Sequence, residues 1–277
     1  MLLDIVDFLN TYFLLRRYTI PFLERIVLSV LLINLEYKFT NPLLSILSRL
    51  YLIDMDLFIC MISELDIRIP FRLVTNNIEQ VTYTGFLVFV MVLIQYFVLR
   101  KKTSNIRQRI NINRKIFHIL LLILYYNPTN FLKMISEYSM LAIMLTTRSE
   151  KFKSTFNLFL SARDGKNLLV SHMYLLLSCV APIYYLNLKD YRANLVSVCI
   201  LDTTSSVVGI YSKKTRKSLI GTLSGIISSL TFYYLIEKDF LPYYFTIIGL
   251  VEYSDICNDN LSIPVTSVIY FNLKKLP

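Results

Sequence analysis

Long apolar runs alternate with short polar connections along most of this chain. A helix needs about 20 predominantly apolar residues to cross the hydrocarbon core of a membrane, and several runs approach that length. The clearest candidate spans are 84–99, 131–147, 167–187, 193–211, 218–236 and 240–253. Weaker candidates are 20–36, 41–62, 116–127 and 260–273. The pattern predicts an all-α, polytopic transmembrane helix bundle of about eight to ten spans.

The composition supports this interpretation because too little of the chain is polar for a water-soluble fold. Of the 277 residues, 55% are hydrophobic and 17% are charged, and the mean hydropathy is +0.54. One soluble core of this size cannot bury so much apolar surface. The same figures exclude a disordered, coiled-coil or disulfide-stapled secreted protein. We predict a single integral membrane domain over 1–277, in which residues 1–100 carry no recognisable motif. We expect the widely spaced cysteines to be reduced: Cys60, Cys179, Cys199 and Cys257.

Three connections between the apolar runs are strongly basic: 100–115, 148–166 and 212–217. Cytoplasmic loops of membrane proteins are enriched in Lys and Arg, so we expect all three on the cytoplasmic side. A turn at Pro128 would let the chain cross twice between the first two connections. The net charge of +10 lies between apolar runs rather than along one soluble face, which argues against nucleic-acid binding.

Ionisable residues inside membrane spans are costly, so each is a candidate for function. In the first such cluster, Arg114 and His118 share a helix face because they are four residues apart. A guanidinium can bind a phosphate through two hydrogen bonds, and an imidazole can transfer a proton. The alternative is a basic anchor at the membrane interface, with His118 hydrogen-bonded inside the bundle.

A second cluster places Arg163 beside Asp164, with His172 in the next apolar run. Asp164 could ligate a metal. The pair could also be an exposed ion pair that contributes little. For His172, a structural hydrogen bond and a role in a site are both open.

The third and densest cluster begins at Asp202, a carboxylate inside an apolar run. Carboxylate oxygens suit Mg²⁺, and Lys and Arg suit phosphate. Gly221 and Gly225 also fit helix packing through small residues, although packing does not explain Asp202. The cations that follow are Lys213, Lys214, Arg216 and Lys217.

The fourth cluster contains Glu252, Asp259 and Asn260, followed by Pro264. Asp259 and Asn260 could contribute a metal contact or hold a base. The alternative is that they cap the last helix.

Together, the clusters resemble the dolichol kinase family, within the wider group of CTP-dependent polyprenol and phytol kinases. The landmarks occur in the family's order over 107–277. The first, Arg114-Lys115-Ile116-Phe117-His118, resembles the RKxxH signature. The second, Arg163-Asp164 with His172 and Pro182, resembles RDxGxLxxxHxYLL…P and favours dolichol kinase over phytol kinases.

The third landmark, Asp202 to Gly209 followed by Lys217-Ser218-Leu219-Ile220-Gly221-Thr222, resembles GDxxASxxG…KSxEGT. The fourth, Glu252 with Asp259-Asn260-Leu261 and Pro264, resembles E…DNLxxP. The chain departs from the family at Leu201, where the family has glycine, and at Ile220, where it has an acid. The departure at Ile220 leaves one fewer possible metal ligand or base.

The resemblance implies an enzyme that transfers the γ-phosphoryl of CTP to the terminal hydroxyl of dolichol. The products would be dolichyl phosphate, which serves protein glycosylation, and CDP. The implied location is the endoplasmic reticulum membrane with the catalytic face toward the cytosol. The implied partners are CTP, dolichol or a similar polyprenol, and membrane lipid.

The resemblance also implies a role for individual residues. Asp202, Asp164 and His118 would be catalytic, with Asp202 as a magnesium ligand or as the base for the acceptor hydroxyl. Mg²⁺ is the implied cofactor, and Asp202 and Asp259 are its implied ligands. The implied nucleotide or phosphate contacts are Arg114, Lys115, Arg163, Ser206, Gly209, Lys213, Lys214, Arg216, Lys217, Ser218, Gly221, Thr222 and Asn260.

Two other functions stay open at the level of sequence. A CTP-dependent kinase for phytol, farnesol or diacylglycerol would show the same third cluster. A transporter or a non-catalytic membrane homologue is the other alternative. Transporters usually show broken helices or inverted repeats, and this sequence shows neither pattern.

Overall fold

The computed structural model describes residues 22–26, 72, 74–100, 106–136, 138–139, 170–211 and 217–275. Every regular element in these ranges is helical, so the predicted all-α class is confirmed for them. Several predictions fall on residues outside these ranges: the span 41–62, most of 20–36, Cys60, Arg163, Asp164, Lys213, Lys214 and Arg216. For His172 the structure describes only the backbone.

The chain divides into two compact units, Met1–Tyr83 with Thr129–Met173, and Thr84–Pro128 with Tyr174–Pro277. The first, third and fourth sequence clusters all belong to the second unit. The single membrane domain stays a prediction, and the site below is built within the second unit alone.

The longer helices are numbered here in chain order. They are α1 (Ile78–Arg100), α2 (Ile106–Tyr125), α3 (Val170–Val180), α4 (Leu188–Val196), α5 (Asp202–Tyr211), α6 (Leu219–Glu237), α7 (Pro242–Ser254) and α8 (Asp259–Leu273). A 3₁₀ turn, Ala181–Tyr184, follows α3, where Pro182 interrupts the regular helix. A π-helical segment, Ser197–Leu201, joins α4 to α5.

Three stretches of the described chain are long and apolar enough to cross a membrane. They are Ile78–Val98, Leu188–Tyr211 and Leu219–Glu237, and they correspond to the predicted spans 84–99, 193–211 and 218–236. The helices α3, α7 and α8 are shorter, with 11, 13 and 15 residues. The predicted count of eight to ten spans is therefore not confirmed.

Helix α2 differs in length from the apolar run that predicted it. The run 116–127 is too short to cross a bilayer, but α2 begins ten residues earlier, at Ile106. The basic connection before the run is therefore partly helical. With 20 residues, α2 is about 30 Å long. It ends at Tyr125, just before the Asn127-Pro128 turn predicted from the sequence.

We call the continuous helix Leu188–Tyr211, made of α4, the π segment and α5, the central helix. Helix α2 runs antiparallel to it. At one end, Arg192 of the central helix donates to the backbone carbonyl of Tyr126, which follows α2. At the other end, Lys115 of α2 meets Asp202. We refer to these as the Arg192 end and the Lys115 end.

Helix α6 also runs antiparallel to the central helix and packs on it through glycines. A methyl group on Gly221 would lie 2.5 Å from the carbonyl oxygen of Ser205, closer than a real contact allows. On Gly225 it would lie 2.8 Å from the carbonyl oxygen of Leu201. These glycines therefore serve close helix packing, which confirms the packing interpretation of the small-residue pattern.

Helices α7 and α8 complete the core through an aromatic layer. Tyr244 of α7 is fully buried, and its hydroxyl lies 3.0 Å from the hydroxyl of Ser197, which donates to it. The same hydroxyl lies 2.8 Å from that of Ser267 in α8. Helices α6 and α7 end at the left-handed residues Lys238 (φ 53°) and Asp255 (φ 50°).

A polar network holds the Arg192 end together. The guanidinium of Arg192 lies 2.9 Å from the Glu237 carboxylate at the end of α6 and 4.3 Å from the centre of the Tyr126 ring. The hydroxyl of Tyr126 donates to the same carboxylate, at 2.9 Å. Asn127 accepts a further hydrogen bond from Arg192. These contacts hold α2, α4 and α6 in one register.

Candidate functional site

The site begins with a buried ion pair between two of the sequence clusters. The Nζ of Lys115 lies 2.6 Å from Oδ2 of Asp202. The two side chains are only 11% and 8% exposed. Burying a charge this deeply costs free energy unless an opposite charge lies beside it, so each of the two residues stabilises the other. The first and third clusters therefore meet in space, although 87 residues separate this pair in the chain.

His118 lies one turn after Lys115 and joins the same group. Its Nδ1 lies 3.0 Å from the carbonyl oxygen of Val198 and 3.7 Å from Oδ2 of Asp202. Because a carbonyl oxygen can only accept, the proton of the neutral ring sits on Nδ1. The side chain is buried, so the bundle alternative for His118, a hydrogen bond inside the protein, is confirmed. Its catalytic role stays a prediction.

The π-helical segment lies directly before Asp202. In such a segment the hydrogen bonds run from residue i to i+5, and the amide of Asp202 donates to the carbonyl oxygen of Ser197 in this way. The extra residue rotates α5 relative to α4. Asp202 therefore faces α2 at the level where Lys115 and His118 reach it.

Glu252, near the end of α7, is the centre of a second group. Its side chain is buried, and both carboxylate oxygens accept hydrogen bonds. Ser205 of the central helix donates to Oε1 at 3.2 Å, and Thr222 of α6 donates to Oε2 at 2.9 Å. One carboxylate thus joins three helices.

Lys217 connects Glu252 to the start of α8. Its Nζ lies 2.5 Å from Oδ1 of Asp259, 3.3 Å from Oε1 of Glu252 and 3.7 Å from Oδ1 of Asp255. It also donates to the backbone carbonyl of Glu252. Burial alone would lower the pKa of Lys217, but the Asp259 and Glu252 carboxylates more than offset burial, so its pKa is raised above the usual value. The ammonium therefore stays charged at neutral pH.

The N-terminus of α6 lies beside this second group. Ser218 caps the helix, and its hydroxyl accepts from the amide of Gly221 at 3.1 Å. Gly209, near the end of α5, is close enough that a methyl group on it would lie 3.6 Å from the Ser218 hydroxyl. A capped helix N-terminus carries partial positive charge, which suits an anion.

The structure thus brings together most of the predicted site residues that it describes. Two of them, Arg114 and Ser206, are half-buried on α2 and α5. Asn260 is buried in the first turn of α8, which is capped by Asn258 rather than by Asp259 or Asn260. The capping alternative therefore names the wrong residue.

Three contacts at the site were not predicted from the sequence. Asp255 faces Lys217, and no motif pointed to it. The other two are the hydrogen bonds that Ser205 and Thr222 donate to Glu252. Their only signal was that both hydroxyls lie beside small residues at the helix contact.

The predicted magnesium ligands are engaged by lysines. Asp202 pairs with Lys115, and Asp259 pairs with Lys217. Within the described ranges, no group of three His, Cys, Asp or Glu side chains could hold a metal ion. The described residues therefore do not form a preformed site for a protein-bound ion, and Mg²⁺ as a cofactor stays a prediction.

Comparisons with protein-family models, curated proteins and solved structures give no match to this chain. The resemblance to dolichol kinases therefore depends on the motif residues named above. Membrane character depends on the three apolar helices.

Proposed function

We propose that this chain is a CTP-dependent polyprenol kinase of the dolichol kinase type. It would transfer the γ-phosphoryl of CTP to the terminal hydroxyl of dolichol. One observation carries the proposal: residues from three separate landmarks lie together at the Lys115 end. Lys115 meets Asp202, and Lys217 joins the third landmark to the fourth.

The charges of the cluster suit a nucleotide that brings its own cation. Asp202, Glu252 and Asp259 place three carboxyl groups beside the two ammonium groups of Lys115 and Lys217. Phosphoryl transfer depends on positioning and on neutralising charge. In this proposal Mg²⁺ enters with the triphosphate as Mg·CTP, and no step is assigned to a metal site of the protein.

The phosphates would be held where α5 joins α6. Gly209 and Ser218 lie on the two sides of that connection, which carries Lys213, Lys214 and Arg216 in its sequence. The amides of the first turn of α6 add donors for an anion. Asp202 is the carboxylate that we assign to activating the acceptor hydroxyl, with Lys115 and His118 fixing its position.

The acceptor would come from the membrane along α6. Leu219, Ile220 and Leu223 are exposed apolar residues on the first turns of this helix. They alternate with Ser218, Gly221 and Thr222, which face the cluster. A lipid alcohol lying on the outer face of α6 would therefore have its hydroxyl near the polar group.

We further propose that the chain lies in the endoplasmic reticulum membrane with the Lys115 end toward the cytosol. The basic connections 100–115 and 212–217 flank this end, and the positive-inside rule favours that orientation. We retain eight to ten as the proposed number of spans.

The decisive experiment measures phosphate transfer from labelled CTP, and separately from ATP, to dolichol in membranes that contain this chain. We expect transfer from CTP only, and a loss of about 10²-fold or more in Asp202→Asn. Asp239→Asn, which changes a partly exposed carboxylate at the Arg192 end, is the matched control and should keep full activity.

Phytol, farnesol and diacylglycerol are tested as acceptors in the same assay. Preference for one of them over dolichol would replace the proposed acceptor and keep the kinase. Full activity of Asp202→Asn would remove this cluster from the reaction. Absence of transfer to every acceptor would favour the non-catalytic homologue.

A further inference from the structure

Glu252 has no assigned role, although it lies at the centre of the cluster. Its side chain is 5% exposed. Both of its oxygens are engaged by hydroxyl groups, from Ser205 on one helix and from Thr222 on another. A carboxylate held in this way is fixed in orientation and has little surface left for a substrate.

The ammonium of Lys217 has three hydrogens to donate. It donates to Asp259 and to the backbone carbonyl of Glu252, and it lies 3.3 Å from Oε1 of the same residue. Glu252 thus supplies two of the oxygen atoms nearest to Lys217. The position of the ammonium is therefore set jointly by Glu252 and by Asp259, whose Oδ1 is the nearest carboxylate oxygen at 2.5 Å.

The charge of Glu252 needs an explanation that its hydroxyl partners do not provide. A neutral amide could accept from one hydroxyl through its oxygen and donate to the other through its NH2 group, so two hydroxyl contacts do not by themselves require a charge. A buried carboxylate is costly unless a cation compensates it, and among the residues that the structure describes Lys217 is the cation that faces it. The negative charge therefore serves Lys217 rather than the helix contacts.

We propose that Glu252 is a positioning residue of the nucleotide site: it holds the Lys217 ammonium beside Asp259 and acts on the nucleotide only through Lys217. The nucleotide part of this statement rests on the proposed function. The placement of Lys217 by Glu252 is independent of the proposed function.

The placement is tested by amine labelling of the purified full-length chain, with the extent of reaction at each lysine read by mass spectrometry. In the native protein, Lys217 should react slowly relative to Lys189, which is 54% exposed. In Glu252→Gln, labelling of Lys217 should rise about fivefold or more, since one charged partner is lost. Lys115 pairs with Asp202 and should stay protected, which separates local release from unfolding.

The consequence for the nucleotide is tested by kinetics with CTP. Glu252→Gln should raise KM for CTP about tenfold and change kcat much less. In a Lys217→Met background, Glu252→Gln should add no further effect, because the group that it positions is gone. Asp239→Asn is the matched control for loss of a carboxylate.

Unchanged labelling of Lys217 in Glu252→Gln overturns the proposal. So does a full additional effect of Glu252→Gln in the Lys217→Met background, which would mean that Glu252 acts directly or only as a helix tie. If no transfer is detected with any acceptor, the proposed function fails and the labelling result still decides the placement. Should Glu252→Gln not fold, Glu252→Met with Ser205→Ala and Thr222→Val removes the charge together with the two hydroxyls that bond to it, so that no hydroxyl loses its partner, and the same rise at Lys217 is expected.

Discussion

The pair of Lys115 and Asp202 shows what single residues contribute to this fold. Spacing along a helix pointed to Arg114 and His118, four residues apart, as the functional face. The contacts to Asp202 come instead from Lys115 and His118, three residues apart. Local spacing allows both pairs. The choice between them depends on which face of α2 meets the central helix, and packing partners far away in the chain decide that.

The same pair supports a prediction about stability. Lys115→Met leaves Asp202 buried without its cation, and we expect a loss of about 3–5 kcal/mol in the free energy of unfolding. Denaturant unfolding in detergent, followed by loss of helical signal, measures this. Lys115→Met with Asp202→Leu should recover most of the loss, because no charge is then left unpaired. Equal stability of the single variant and the native chain would contradict the buried pair.

A control for this prediction lies at the Arg192 end. Lys189 and Asp239 form an ion pair at the surface, with side chains 54% and 35% exposed and Nζ 2.9 Å from Oδ2. Exposed pairs are screened by water and salt and contribute little. Lys189→Met should therefore leave the unfolding transition where it is.

At the scale of helices, sequence patterns predicted the apolar elements better than the polar ones. The spans 193–211 and 218–236 correspond closely to the helices found, because long apolar runs need a membrane or a core. Helix α2 was predicted too short, since its first ten residues include charges that apolar patterns exclude. The π segment before Asp202 had no signal in the sequence, because it adds one residue without changing composition.

The glycines between the central helix and α6 support a prediction about helix packing. Gly221→Ala places a methyl group against the carbonyl oxygen of Ser205, so the helices must separate. We expect a loss of about 1–3 kcal/mol in stability, measured by thermal or denaturant unfolding. Gly85→Ala in α1 is the matched control, since no atom lies within 4 Å of a methyl group there. Gly85→Ala should leave the free energy of unfolding unchanged or raise it slightly, because alanine favours the helix.

At the scale of the molecule, the proposed topology places the two ends of the central helix on opposite sides of the membrane. Tyr211 at the Lys115 end and Phe240 at the Arg192 end are both exposed. In sealed microsomal vesicles, an impermeant thiol reagent should label Tyr211→Cys from outside and reach Phe240→Cys only after the vesicles are opened. The background carries Cys60→Ser and Cys257→Ser, since Cys179 and Cys199 are buried. Labelling of both sites from outside would contradict the proposed crossing.

The candidate site could be assembled from the sequence only in part. The motifs named Asp202, Lys217 and Asp259 as members of one group, and the structure places them at one end of the bundle. The individual pairings depend on the antiparallel register of α2 and α6 on the central helix. Contacts far from the site, at Arg192 and at Tyr244, help to set that register, so no local motif could reveal it.

Replacing the left-handed residue that ends α6 should increase the folding stability of the protein. Lys238 holds φ at 53°, a conformation that costs a side chain energy and that glycine adopts freely. Lys238→Gly should raise stability by about 0.5–1 kcal/mol, seen as a higher melting temperature with phosphate transfer unchanged. Asp255 has the same backbone strain, but its carboxylate faces Lys217, so the matching change there should not be neutral for the site. The Lys238→Gly variant, more stable and unchanged at the Lys115 end, is therefore the form best suited to determining a structure with nucleotide bound.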